Sequence, residues 1–140
     1  MRAGDIAAVL ELEADTLSAW SREHLEDEVL QPAGFQFIAR DEASEELLAV
    51  LCGRIMVDEA EILKLSVAAK AQCKGVGFQL LDFAVNFCRA KGVRNCFLEL
   101  RASNTAARNL YAKRGFVRVG SRKDYYDKPV EDAILMQLAL

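Results

Sequence analysis

Gln72-Cys73-Lys74-Gly75-Val76-Gly77, continued at once by Phe78-Gln79-Leu80-Leu81, is the stretch on which the fold turns. Before it the chain reads as strands. After it comes a strongly amphipathic helix with Leu80, Leu81, Ala84, Val85 and Cys88 on one face. Gly92 stands where glycine commonly ends a helix. Glycines between a strand and a helix let the backbone approach a ligand closely, and the free N–H groups of a helix N-terminus suit an anion such as pyrophosphate. The same glycines also serve a plain turn, so the loop alone does not choose between a ligand site and chain geometry.

Upstream of the loop, Glu61 to Val67 reads as a strand and Asp58-Glu59 as a tight turn. Leu47 to Val57 is long, apolar and rich in strand formers, the pattern of a central strand, and the polar turn Asp41 to Glu46 separates it from a strand at Phe35 to Arg40. Such short connections allow only antiparallel pairing. At the front, Asp5 is placed to cap a helix carrying Ile6, Val9, Leu10 and Leu17, and Ser21 to cap a short second helix with Leu25 and Val29 inward, stopped by Pro32 and Gly34. Downstream, Arg94 to Arg101 is a strand, Asn104 caps a helix to about Arg114, and strands come next at Phe116 to Ser121 and Ala133 to Leu140. The strand–loop–helix–strand unit predicts one right-handed parallel crossover. The expected fold is therefore α/β, a mixed and mostly antiparallel sheet of six or seven strands with helices on both faces.

Length and composition bound the function. The 140 residues, with 52% hydrophobic and 28% charged, suit one globular domain over 1–140. The net charge of -3 argues against nucleic acid as a general partner, and leaves room for a basic peptide or a small anion held locally. Asp5, Glu11, Glu13 and Asp15 exclude a leader at this N-terminus, and the apolar run from Leu47 to Gly53 is too short to span a bilayer, so a cytoplasmic protein is expected. Cys52, Cys73, Cys88 and Cys96 form no C-x-x-C pair, and with His24 as the one histidine no zinc site can be built. Buried, reduced thiols are expected.

A dinucleotide loop would carry a third glycine where Leu80 stands. Glu99 does fall about twenty positions on, as such a fold requires, but a Rossmann chain begins with its βαβ unit and repeats it, whereas here one unit comes after a meander. The loop Gln72-x-x-Gly75-x-Gly77 instead resembles the acyl-CoA pyrophosphate loop of the GNAT N-acetyltransferase superfamily. Leu98-Glu99-Leu100-Arg101-Ala102-Ser103-Asn104, then Asn109-Leu110-Tyr111 and Gly115-Phe116, resembles its ribosomal-protein-alanine N-acetyltransferase branch. Trp20-Ser21, Tyr125-Tyr126 and Glu131-Asp132-Ala133 are similar to the same branch, so the resemblance spans essentially the whole chain. Ala68-Ala69-Lys70 departs from the Asp-Pro turn common in the family, and Cys73-Lys74 departs inside the loop.

The resemblance implies acetyl-CoA as co-substrate and no metal, with direct transfer to the N-terminal amine of a small-subunit ribosomal protein, its alanine first. It implies that the backbone of Leu65, Ser66 and Val67 pairs with the pantetheine arm, and that the Val67 amide polarises the thioester carbonyl. Gln72, Cys73, Lys74, Gly75, Val76, Gly77 and Phe78 would hold the pyrophosphate, chiefly through main-chain N–H groups, with Lys74 adding a charge, and Asn104 would bond the cofactor from its helix start. The sheet would split between the Glu61–Val67 and Arg94–Arg101 strands to admit CoA. Glu99 shares a strand face with Phe97 and Arg101. On spacing alone it is a solvated carboxylate within reach of Arg101; the resemblance makes it a general base. Tyr111, beside Leu110, is a packing aromatic on spacing alone and by resemblance the acid for the leaving thiolate. Other readings are a GNAT acting on other protein N-termini or small amines, and a silent acyl-CoA-binding module, against which the presence of both Glu99 and Tyr111 argues. The run Glu26-Asp27-Glu28 and His24 read as a wet helix face, the acidic run also as an attractor for a basic peptide. The oligomeric state is open, with a monomer favoured.

Overall fold

The computed structural model describes all of residues 1–140. Helices α1 (Ile6–Leu12) and α2 (Arg22–Val29) precede strands β1 (Gly34–Arg40), β2 (Leu47–Met56) and β3 (Glu59–Val67). Helix α3 (Val76–Ala90), strand β4 (Asn95–Arg101), helix α4 (Thr105–Arg114) and strands β5 (Val117–Tyr126) and β6 (Glu131–Ala139) complete the chain. The six strands form one sheet in the order β1-β2-β3-β4-β6-β5, in which only β3 and β4 are parallel. The crossover through α3 is what turns β4 parallel to β3, since no short turn can do so.

Both faces are covered. Leu80, Leu81, Ala84, Val85 and Cys88 of α3 are all buried, packing with Ala49, Leu51, Ile62, Leu98 and Leu100 of the sheet and with Tyr111 and Phe116. Each buried leucine contributes roughly 1.5–3 kcal/mol of transfer free energy. The opposite face carries a smaller core of Ile6, Val9, Leu25, Val50 and Cys52 under α1 and α2.

Two irregularities in β3 set the geometry of the sheet centre. Cys52 pairs with Lys64 but Gly53 pairs with Ile62, so Leu63 is an extra residue bulging from the ladder. Ala60 and Ile62 face α3; after the bulge Leu65 and Val67 do so, and Lys64 and Ser66 turn toward α1. Strict alternation would have driven the Lys64 ammonium into the apolar core with Ile62. The second irregularity is a split. Pairing of β3 with β4 runs from Glu59↔Asn95 to Ile62↔Leu98 and stops, while β2 stays paired to β3 as far as Val67 and β6 to β4 as far as Arg101.

Several expectations are corrected. The α1 helix ends at Leu12, so Leu17 lies beyond it and is 63% exposed. Asp5 accepts a bond from the Arg2 amide and pairs with Arg40 rather than capping α1. Ser21 does cap α2, accepting from the His24 amide at 3.1 Å. Glu28 is not on the wet face of α2: it is buried, and Arg54 Nη2 donates to it at 2.9 Å. Cys73 is exposed, while Cys52, Cys88 and Cys96 are buried. Burial pushes these three thiols up, Cys52 and Cys96 to about 12 and Cys88 to about 11, so they stay protonated and inert. Strand β5 runs on to Tyr126, and β6 starts at Glu131, so the two make a longer hairpin than the sequence suggested.

Candidate active site

The split defines the site. Beyond Ile62, β3 has β2 on one side and no strand on the other, so the main chain of Leu65, Ser66 and Val67 borders the gap as an open edge with polar groups available for an added strand. Gln72 Nε2 donates to the Val67 carbonyl at 3.2 Å and ties the adjoining loop to this edge. In that loop Cys73 and Gly75 have φ of 60° and 82°, left-handed positions on either side of Lys74; such alternation of hand is what builds anion-binding nests of main-chain amides. No side chain caps α3, so the first-turn N–H groups of a 15-residue helix are left for an anion.

Gly75 and Gly77 do different work. A Cβ on Gly75 would meet nothing within 4 Å, so its requirement is the positive φ. A Cβ on Gly77 would lie 3.1 Å from Val67 Cγ2 and 3.4 Å from Leu110 Cδ2, so Gly77 lets α3 pack tightly on β3 and α4. Lys74 is exposed, and Lys113, which the sequence did not single out, stands over the Phe78 ring at 4.9 Å beside the first turn of α3. Asn104 caps α4: its Oδ1 accepts from the Ala107 amide at 3.1 Å, leaving its Nδ2 donors free.

Glu99 and Tyr111 lie on opposite faces of the sheet. Tyr111 is buried in the α3-side core and packs edge-on against Phe116 at 5.7 Å. Burial raises its phenol pKa well above the ordinary value, so it stays protonated at neutral pH. Glu99 is the first β4 residue past the paired segment and lies on the other face, since Leu98 and Leu100 point into the core. Its ion-pair partner is Arg122, at 3.4 Å, not Arg101, which pairs with Glu131. Tyr125 also meets Glu99: its phenol pKa is raised, first by its hydrogen bond to that carboxylate. Burial, then the Glu99 charge, pushes the Tyr126 phenol up to about 12.

Sequence spacing missed Glu61. Desolvation, then the nearby Glu99 carboxylate, raises its pKa, so two carboxylates share the entrance to the split. The signal was present in the alternation of Glu59 and Glu61 on one strand face, but which residues of the neighbouring strand stand beside them could not be read without the parallel register. Lys64, Arg101 and Arg122 were missed as site-shaping cations for the same reason.

A split parallel pair at mid-sheet, an open edge on one strand and an uncapped helix fed by a left-handed loop together define an acyl-CoA-binding architecture. The chain belongs to the acetyltransferase (GNAT) family, whose model matches residues 6–116. Among its relatives, the [ribosomal protein bS18]-alanine N-acetyltransferase of Haemophilus ducreyi is 34% identical over 99 residues, covering 69% of this chain and 68% of the relative. A Bacillus subtilis protein that bears this name provisionally is 32% identical over 142 residues, covering 100% of this chain and 93% of its own length. Among solved structures, the ribosomal-protein-S18-alanine N-acetyltransferase of Escherichia coli superposes with a TM-score of 0.90 at 27% identity, over 99% of this chain and 90% of that one. No helix here is long and apolar enough to cross a membrane.

Proposed function

We propose that this chain moves the acetyl group of acetyl-CoA directly onto the α-amine of an N-terminal alanine, that of ribosomal protein bS18, with no acyl-enzyme intermediate. The observation that supports the proposal most is the parting of β3 and β4 after Ile62 and Leu98, with Glu99 as the first β4 residue beyond the paired segment. The names of the relatives support the choice of acceptor.

The residues present suit acetyl-CoA. The pantetheine arm would pair with the open edge of Leu65, Ser66 and Val67, with the Val67 amide available to the thioester oxygen, where charge develops during attack. The main chain from Cys73 to Phe78 would hold the pyrophosphate, with Gln72 fixing the loop, Lys74 adding charge and Asn104 donating through its free amide. The acceptor enters from the face of Glu99. An α-amine has a pKa near 7.7–8.0, so roughly a quarter is already neutral near pH 7.4. Lysine, near 10.4, requires about 3–4 kcal/mol more. One carboxylate, acting directly or through one water, is then enough for an α-amine. The amine nitrogen forms the new C–N bond, Glu99 receives its proton, the C–S bond breaks, and the Tyr111 hydroxyl protonates the departing sulfur. Unpaired buried thiols at Cys52, Cys88 and Cys96 fit a reducing cytoplasm, where ribosomal proteins are made.

The experiment is acetyl-CoA turnover against peptides that differ only in the N-terminal residue, beside one blocked peptide with an internal lysine, read by mass spectrometry. The expected product is acetylated at the α-amine, fastest with the bS18 N-terminal sequence. Modification mainly on the internal lysine overturns the proposal.

A further inference from the structure

We infer that Arg101 is a positioning residue that holds the two acceptor-side loops in register with Glu99; this rests on the acceptor face proposed above. Two segments flank that face: residues 13–21 between α1 and α2, and residues 127–130 between β5 and β6. They are more than a hundred positions apart in the chain, and one guanidinium reaches both. Arg101 Nε donates to Ser18 Oγ at 3.2 Å. Nη1 donates to the Pro129 carbonyl at 3.0 Å and to Glu131 Oε1 at 3.3 Å, and Nη2 donates to the Asp127 carbonyl at 3.1 Å. The Tyr126 ring covers the group, 4.5 Å from Cζ to the ring centre. Two of the four acceptors are main-chain carbonyls, so the path of the hairpin is fixed and not merely a side chain on it. Glu131 in turn accepts from the Ser103 amide at 2.7 Å, which anchors the hairpin to the start of the next loop.

A second cation completes the hold on residues 13–21. Lys64, turned to this face by the bulge at Leu63, bonds Glu13 and donates to the Ser18 carbonyl at 3.1 Å, beneath the Trp20 ring. Glu13 also accepts from Ser66 Oγ at 2.7 Å. Ser18 is thus gripped through its hydroxyl by Arg101 and through its carbonyl by Lys64. Arg101 and Lys64 are each only 8% exposed. Buried ion pairs of this kind seldom stabilise a fold more than apolar packing of the same volume. What they supply is geometry: a planar fork with five donors fixes several acceptors at once. Arg101 sits two residues from Glu99 on the same strand face, so the element that carries the base also sets the walls between which the amine arrives.

The test is steady-state kinetics of Arg101→Met, Arg101→Lys and Ser18→Ala, varying each substrate in turn. Arg101→Met is expected to raise the acceptor KM about tenfold or more and lower kcat/KM for the acceptor about a hundredfold, with acetyl-CoA KM within about twofold of wild type. Lysine at 101 restores charge but not the fork, so its values fall between. Ser18→Ala cuts one tether and leaves the core intact, so it reads the effect if the Arg101 variants do not fold; an acceptor KM about threefold to tenfold higher is expected. Equal changes in both KM values, or none in Ser18→Ala, overturn the inference. A wrong choice of acceptor shows separately, in the peptide preference of the wild-type enzyme.

Discussion

The two sides of the split are built in opposite ways. On the α3 side the proposed cofactor contacts are main-chain groups from one continuous stretch, Leu65 to Phe78, with Gln72, Lys74 and Asn104 as the side chains that assist. On the α1 side the surface is made of side chains from four distant places: Glu13 and Ser18, Glu61 and Lys64, Glu99 and Arg101, Arg122 and Glu131. A backbone cradle tolerates changes in side chain, which is why Cys73-Lys74 and Ala68-Ala69-Lys70 can depart from the family pattern without disturbing the loop's left-handed path. A surface of converging charges has no such tolerance, and on the proposed function it is the face that would distinguish acceptors.

The largest test of this contrast uses side chains that the main chain cannot replace. Glu99→Gln is expected to keep acetyl-CoA affinity and lose roughly 10²–10⁴-fold in turnover, with part recovered at high pH where the amine is already neutral. Tyr111→Phe keeps the ring against Phe116 and is expected to lose tens to about a thousandfold in kcat, toward the low side because a thiolate leaves without much help. Wild-type turnover by both variants near neutral pH would return the two residues to ion pairing and packing.

Next in size is a change to the cradle. Gly77→Val forces a branched side chain against Val67 and Leu110, and overpacking of this kind costs about 1–3 kcal/mol. Because Val67 belongs to the open edge, thermal stability and the acetyl-CoA-induced rise in Tm should fall together. A variant that keeps its Tm but loses the shift would mean that glycine is needed at 77 for close approach of the phosphates rather than for packing on Val67 and Leu110.

The smallest effect concerns Glu61. Desolvation and then the Glu99 charge hold its folded pKa above the unfolded one, so the folded state binds that proton more tightly. The stability this gives is full below the ordinary carboxylate pKa and is lost as pH rises through the folded pKa. Glu61→Gln should therefore be slightly more stable than wild type near neutrality, a gain that vanishes below about pH 4. Tm measured against pH reads this directly, and a variant less stable than wild type at pH 7 would mean that Arg54 and Arg122 outweigh the repulsion.

What the sequence by itself determined is whatever has a local cause. The α3 inner face comes from a 3.6-residue period, the caps at Ser21 and Asn104 from side chains that bond amides three residues on, and the β1–β3 meander from turns too short for anything but antiparallel pairing. The place of β4 after one crossover and its two faces belong to the same class, whereas the left-handed φ at Cys73 came only with the structure. Only the tertiary structure decided the contacts between strands and loops far apart in the chain. Strict alternation cannot foresee the bulge at Leu63 that turns Lys64 out of the core, because a bulge answers to the neighbouring strand. Nor could spacing tell that Glu99 meets Arg122 while Arg101 takes Glu131, that Glu28 is buried on Arg54, or that Glu61 stands beside the base. Charges pair with whatever the sheet register brings within a few ångströms, and register is a property of the assembled sheet rather than of any one strand.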